Sequence, residues 1–351
     1  MLRGRTVLVR LAILGLTILT ALCVGCSALP GHGASAAPGK LTVLGSAEEV
    51  YVLGMTNAFE ADTGIKTSYV RLSTGEALGR LRADKNHQQF SVWWGGPIDS
   101  YVDASGEALL EQYRPRGSST LPRQYKDDGG AWTGVYVGVL GFGINTAVLN
   151  DRHLTAPASW ADLARPEYQG QISVAHPETS GTAFTMLGTI MQLNGKDVDK
   201  GFVYLSALAH NVLRWERTGA EPARVAGRGE AAIAIAFSHD IVDAAQLSPD
   251  LKLVFPDEGT GYEVGGMALI KGGPESEEGK RFMDWAISKR AQELGPTFRA
   301  YQIPTNPDAD VSPLSAKLST IKTIDYDFRW TGNRRDDLVQ RFDATIAPAP
   351  N

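Results

Sequence analysis

The sequence predicts an α/β protein of two lobes, each a mostly parallel sheet flanked by helices, with a cleft between them. Short apolar, β-prone runs alternate with helix-like segments along most of the 351 residues, the pattern of parallel sheets covered on both faces. About 310 residues follow the N-terminal leader and linker, more than one hydrophobic core organises. Both cysteines, Cys23 and Cys26, stand in the leader, so the body has no disulfide and no thiolate for catalysis or metal binding.

Arg3, Arg5 and Arg10 form a cationic start, residues 11–22 an apolar run, and Gly25 supplies the small residue that cleavage needs before Cys26. The apolar run is too short to span a bilayer. Residues 1–26 therefore read as a lipoprotein signal peptide ending at a lipidated Cys26. Cys23 occupies the position where such signals carry an aliphatic residue, and a plain cleaved signal is the other reading. Residues 27–40 (SALPGHGASAAPGK) have the composition of a flexible tether. The expected location is extracytoplasmic, lipid-anchored to the cell membrane.

Residues 41–44 read as the first strand, and Ser46 to Glu49 as a capping box opening a helix with Tyr51, Met55 and Phe59 on one face. Residues 65–72 are the second strand. Ser73, Thr74, Gly75 and Glu76 repeat the capping-box spacing before a helix with Leu78 and Leu81, and residues 90–94 make a third strand closed by Gly95-Gly96-Pro97. Residues 135–145 (VYVGVLGFGIN) are long, glycine-rich and β-prone, a place to cross between lobes. A short helix is expected over 159–168, a strand over 171–175, a helix carrying Phe184, Leu187 and Met191, a helical stretch over 203–209 and a strand over 212–216. Pro222 sits where a first-turn proline belongs. Residues 231–237 (AAIAIAF) read as a buried strand and 251–255 as another. Residues 259–266 read as a glycine-rich return holding the second crossover, 267–270 as a strand and 277–294 as one amphipathic helix. The expected division is 41–135 with 264–300 as one lobe, 136–263 as the other, and 301–351 packing across both.

Without the three leader arginines, 34 basic residues become 31 against 39 acidic ones, and the net charge moves from −5 to −8. That excludes a general affinity for nucleic acid. An anionic ligand would need local donors. Ser180-Gly181-Thr182 offers them: two hydroxyls and free backbone N–H groups at a helix start, with a glycine permitting close approach. An ordinary N-cap is the alternative for Ser180. Ser46-Ala47 and Ser73-Thr74 repeat the geometry, although Glu49 and Glu76 in the first turns would repel an anion. His239-Asp240 ends the most apolar strand, where a charged pair is poor core material. Helix capping is its plainer reading. Glu263 reads as either a site residue or a solvated loop glutamate, and of Trp93 and Trp94, one can line a cleft while the other packs in the core.

The sequence has no G-x-S-x-G elbow, no P-loop, no H-E-x-x-H and no complete G-x-G-x-x-G. No catalytic residue, resident metal or cofactor is expected.

Leader, tether, two α/β lobes and facing helix starts together resemble the solute-binding lipoproteins of ABC importers, in the class-II, ferric-binding-like branch. The stretches that carry the resemblance are residues 92–96 (VWWGG), 160–170 (WADLARPEYQG), 177–185 (PETSGTAFT) and 227–240 (GRGEAAIAIAFSHD). Iron binders of that branch use adjacent tyrosines; this chain has none, and Phe237-Ser238-His239-Asp240 stands where the pair would follow its strand. The Ser180-Gly181-Thr182 cradle with His239, Asp240 and Glu263 looks instead like the hexose-phosphate branch, with phosphonate binders as relatives. The resemblance implies a ligand cleft between lobes and a monomeric receptor that hands a small phosphorylated solute to a membrane permease. Ser180, Gly181 and Thr182 would take the phosphate, while His239, Asp240 and Glu263 would bind hydroxyls at the other end; Ser46, Ala47, Ser73, Thr74 and Trp94 are further candidate ligand-binding residues. A 2-aminoethylphosphonate binder, an Fe(III) receptor and, less well supported, a secreted hydrolase are the alternatives.

Overall fold

The computed structural model describes residues 39–350. The signal peptide, Cys26 and the tether up to residue 38 lie outside them. No helix among the described residues is long and apolar enough to cross a membrane.

The chain opens with β1 (Lys40–Gly45), α1 (Glu49–Thr63), β2 (Lys66–Arg71), α2 (Thr74–Ala83), β3 (Val92–Pro97), α3 (Ile98–Gly106) and the short β4 (Leu110–Glu111). β1 starts at Lys40, one residue before the expected first strand. The long β5 (Thr133–Asn145) leads to α4 (Thr146–Asp151), β6 (Ile172–Ala175), α5 (Gly181–Leu193), α6 (Val198–Ala209) and β7 (Val212–Glu216). Then come α7 (Glu221–Gly227), β8 (Ile233–Phe237), α8 (Ser238–Ala245), β9 (Leu251–Val254) and β10 (Tyr262–Ile270). The chain ends with α9 (Ser276–Ala286), α10 (Lys289–Gln292), β11 (Ile303–Pro304), α11 (Phe328–Gly332) and α12 (Arg335–Thr345).

The strands follow the order β2-β1-β3-β10-β5-β8-β6-β7. The parallel ladders, β2-β1-β3 and β8-β6-β7, lie at the outside, and the long β10 and β5 run antiparallel between them. β5 serves both lobes: Thr133 to Val139 pair with β10, and Leu140 to Ile144 pair with β8. Helices cover both faces of lobe 1, so Trp94 packs with Leu41, Val43 and Phe59 on one side and Trp93 with Leu44 and Tyr101 on the other. Lobe 2 is organised around Phe142, Trp160, Phe184 and Leu205, joined from the C-terminal segment by Leu338 and Phe342. That segment also reaches lobe 1, where Asp336 pairs with Arg82 and Tyr326 donates to Asp99.

Four expectations need correction. Ser46 opens no capping box: Glu48 is the extended residue before α1, and it caps with no side-chain bond. The expected helix over 159–168 is two 3₁₀ turns, Ala161–Ala164 and Pro166–Tyr168, because Arg165 precedes a proline and is held extended. The glycine-rich stretch 259–266 is no return. β10 runs through Gly265 and Gly266 with a register shift between them, and there a Cβ would meet the rings of Tyr136 and Tyr101. The helix over 277–294 is broken at Ser288, whose hydroxyl caps α10 by accepting from the Ala291 N–H at 3.2 Å.

Candidate ligand site

Ten of the eleven expected ligand residues meet in one cleft. Ser46, Ala47, Ser73 and Thr74 line it from lobe 1, and Ser180, Gly181 and Thr182 face them from lobe 2. His239, Asp240 and Glu263 line it as well. The cleft is narrow in this structure, with a cavity volume of about 50 Å³. Trp94 is the exception. It is 1 % exposed and packs edge-on against Tyr51 with ring centres 4.9 Å apart.

The lobe 1 donors sit where β1 and β2 end. Ser46 N donates to Trp94 O at 2.8 Å, and its hydroxyl oxygen accepts the Trp93 indole N–H at 2.9 Å. Ser73 caps α2 in a true capping box, with the Ser73 N–H donating to Glu76 Oε2 at 3.1 Å. Across the cleft Ser180 caps α5, accepting from the Ala183 N–H at 3.3 Å. Each serine is thus used as an acceptor, which leaves its hydroxyl hydrogen free to donate. Capping and anion binding are therefore compatible in Ser180 and Ser73. The N–H groups of Gly181 and Thr182 belong to the first turn of α5 and have no intrahelical acceptor.

The two helix starts meet directly: Gly75 N, in the first turn of α2, donates to Thr179 O at 2.9 Å. A Cβ on Gly181 would stand 2.6 Å from Pro97 Cδ and 2.7 Å from Thr74 Oγ1. A Cβ on Gly219 would run into Thr182 Oγ1. Glycine at these positions is what lets the walls approach.

The other end is made of titratable side chains. His239 Nε2 lies 3.7 Å from Asp240 Oδ2 and 3.8 Å from Glu263 Oε1. Burial lowers the His239 pKa to about 3, so the ring is neutral, and Phe237 stacks on it at 5.5 Å. Burial pushes both carboxyls well above the usual range, and neighbouring acids add to this: Glu48 acts on Asp240, and Asp240 and Asp99 act on Glu263. His239 Nδ1 is buried without a hydrogen-bond partner. Gly138 on β5 makes room for the group, since a Cβ there would lie 2.7 Å from His239 Cε1 and 2.8 Å from Glu263 Oε1.

Sequence reasoning missed Arg71, Tyr136, Gly219 and Gln302, which also line the cleft. Arg71 is held at the end of β2 by the Ala47 carbonyl at 3.1 Å and Ser73 Oγ at 3.3 Å. Its guanidinium also pairs with Glu48 at 3.4 Å, so the positive charge it brings to the cradle is partly offset. Its signal was a lone arginine closing a strand just before a capping serine. Tyr136 accepts from the Gly96 N–H at 2.9 Å, and burial pushes its phenol pKa well above 10.0.

Residues 100–329 match the bacterial extracellular solute-binding protein family. A Haemophilus influenzae protein is 34 % identical over 337 residues, which covers 94 % of this chain and 96 % of that one. A putative 2-aminoethylphosphonate-binding periplasmic protein of Salmonella paratyphi A is 29 % identical over 248 residues, 67 % of this chain and 68 % of the relative. Among solved structures, the periplasmic binding protein AfuA from Actinobacillus pleuropneumoniae, with exogenous fructose-6-phosphate bound, superposes with a TM-score of 0.85. It is 36 % identical, and the match covers 88 % of this chain and 98 % of AfuA. The chain belongs to the bacterial extracellular solute-binding proteins, the two-lobed class-II receptors that serve ABC importers.

Proposed function

We propose that this receptor binds a phosphorylated organic solute, a sugar phosphate, between its lobes and delivers it to its permease. One observation carries the reading: two long helices, α2 and α5, aim their N-termini into one pocket beside Arg71, while three titratable groups stand at its far end. Helix starts, hydroxyl hydrogens and a guanidinium are all donors, the complement of a phosphate. His239, Asp240 and Glu263 offer both donors and acceptors, as sugar hydroxyls require. The fructose-6-phosphate held by AfuA supports the assignment. Micromolar affinity needs about 8 kcal/mol, and charge-assisted hydrogen bonds give roughly 1.5–3 kcal/mol each before the cost of association. Three or four to the phosphate and the sugar end suffice.

A second reading rests on Asp240 and Glu263, two carboxyls with no cation between them. An ammonium would fit there, which makes a 2-aminoethylphosphonate the runner-up, in line with the Salmonella relative. An Fe(III) receptor is less well supported. Tyr136 is the one tyrosine among the lining residues, and its burial opposes the phenolate that ferric iron prefers. The reading assigns no chemical step, which sets it against a hydrolase.

We place the first lobe boundary in β5 between Val139 and Leu140, past the expected 135/136, on the change of partner there, and keep the second at 263–264. We assign the anchor to a lipidated Cys26, with the residues from 27 up to the start of β1 at Lys40 as linker; tethering beside the permease raises the effective concentration of a monomeric receptor. Thermal-shift titration against hexose phosphates, phosphonates, inorganic phosphate and Fe(III) tests the reading, since ligand raises stability by mass action. A concentration-dependent shift with a phosphorylated compound is expected, moved to a few-fold higher ligand concentration in Thr182→Ala and further in His239→Ala. No shift with any phosphorylated compound, or a shift indifferent to both substitutions, overturns it, and a hit that is consumed on incubation revives the hydrolase.

A further inference from the structure

A second cavity of about 270 Å³ adjoins the cleft and is partly open to solvent. Glu48, His239, Asp240 and Gln302 line both spaces. Ser73, Thr74, Ser180, Gly181 and Thr182 line only the first. The second cavity therefore leads away from the carboxylate end, opposite the cradle.

Its chemistry differs from that of the cleft. Val50, Tyr51 and Phe298 wall it from lobe 1, and Ala244 and Leu247 from lobe 2. Leu247 is 76 % exposed and Val50 51 % exposed, so a large apolar side chain faces water on each lobe. At the join, His239 Nδ1 and Gln302 Oε1 are buried with no hydrogen-bond partner. The residues that carry these atoms, His239 and Gln302, line both spaces, so the two are joined through polar side chains. Two ion pairs that bridge the lobes border the chamber: Glu48 with Arg224, and Asp243 with Arg299 at 2.8 Å.

We propose that this chamber is a second subsite, which takes an apolar substituent carried by the solute at the end away from its phosphate. The inference rests on the phosphate-binding reading above and narrows it: the solute is a phosphorylated compound with an aryl or alkyl group, longer than a bare hexose phosphate. The phosphate fills the cradle, the polar middle meets His239, Asp240 and Glu263, and the apolar end leaves water between Val50 and Leu247. At about 25 cal/mol per Å², burial of part of a phenyl ring is worth about tenfold in affinity after the cost of ordering.

Calorimetric titration of the full chain with hexose 6-phosphates and with their phenyl glycosides tests this. The phenyl glycoside is expected to bind about tenfold more tightly than its parent. In Leu247→Asp, a change at an exposed position, the parent should bind as before and most of the gain should vanish. A glycoside that binds no tighter than its parent overturns the inference, as does a gain that survives Leu247→Asp. Either result leaves the phosphate-binding reading standing. Binding of neither compound overturns that reading, and this one with it.

Discussion

The Ser180 end of the cleft and the His239 end are built from different materials. At the first, the donors are main-chain N–H groups and hydroxyls that α2 and α5 hold in place, with Arg71 beside them. At the second, the buried His239 and Glu263 and the largely buried Asp240 face one another, and the cations that act on Asp240, Arg224 and Arg71, stand outside the trio. A helix start offers its N–H groups whether or not a ligand is present, so the cradle costs the empty protein little. The buried carboxyls cost it a great deal. Affinity is thus spread over many small contributions at one end and concentrated in a few at the other, where it is bought with stability.

The largest effect should come from breaking the contact that brings the two lobes onto the ligand. In Gly181→Val the new side chain meets Pro97 and Thr74, and the competent closed state is lost from the population. Apparent affinity falls in proportion to that fraction, and a loss on the order of a hundredfold is expected in titration calorimetry. Gly64→Ala, whose Cβ would meet nothing, serves as the control for mutation at a glycine outside the site, apart from the strain of its positive φ. Equal losses in both would show that the Gly181 contact is not special.

The far end should reverse sign between binding and stability. Glu263→Gln weakens solute binding, yet it should raise the melting temperature of the unliganded protein at pH 8. The Glu263 carboxyl is raised above 4.5 in the folded protein, so above that pH the folded state holds a proton that the unfolded state has released. Stability therefore falls as pH rises. His239 works the other way, because its folded value of about 3 lies below the 6.5 of the free side chain. The unfolded state gains the proton first, and stability falls as pH drops below 6.5. Melting temperature against pH should show two limbs, with Glu263→Gln flattening the alkaline one and His239→Asn the acid one. Unchanged limbs in both variants would remove the titration argument.

How much of this contrast was legible follows from the distance over which each feature is decided. The Ser73 capping box could be read because its partners lie within three residues. The Ser46 box failed because the indole that takes the serine oxygen arrives 47 positions later. Ser180-Gly181-Thr182 stood out as a local pattern, and His239-Asp240 as polar residues ending an apolar strand. Gln302 carries no local mark, and Arg71 only that of a lone arginine closing a strand before a capping serine, since the packing of two lobes is what brings both to the cleft. Alternation correctly put Trp93 and Trp94 on opposite faces, but helices cover both, so neither side gave exposure.

At the cradle, single deletions should be mild. Thr182→Ala removes one hydroxyl among several donors, and a neutral hydrogen bond is worth about 1 kcal/mol, or roughly fivefold in affinity. Ser180→Ala should add a loss of helix-cap stability of about 1 kcal/mol, visible in the melt without ligand. A hundredfold loss from Thr182→Ala alone would mean that the cradle is as concentrated as the His239 end, and the contrast between the two would fail.

The smallest effect belongs to the rim. Arg217 on lobe 2 pairs with Glu76 on lobe 1 at 2.6 Å, and its side chain is 50 % exposed. Exposed pairs are worth about 0.2–1 kcal/mol and are screened by salt. The pair also neutralises Glu76, which sits in the first turn of α2 close to the expected phosphate and would otherwise repel it. Arg217→Ala removes both contributions, so solute affinity should fall a few-fold at low ionic strength. Raising the salt should close most of that gap between variant and parent, because both contributions are screened Coulomb interactions between partly hydrated groups. Stopped-flow dissociation locates the effect: an open-and-shut rim contact acts on the escape rate, so the dissociation rate should rise while association barely changes. A loss of affinity that stays constant from low to high salt would assign Arg217 a direct contact with the solute instead.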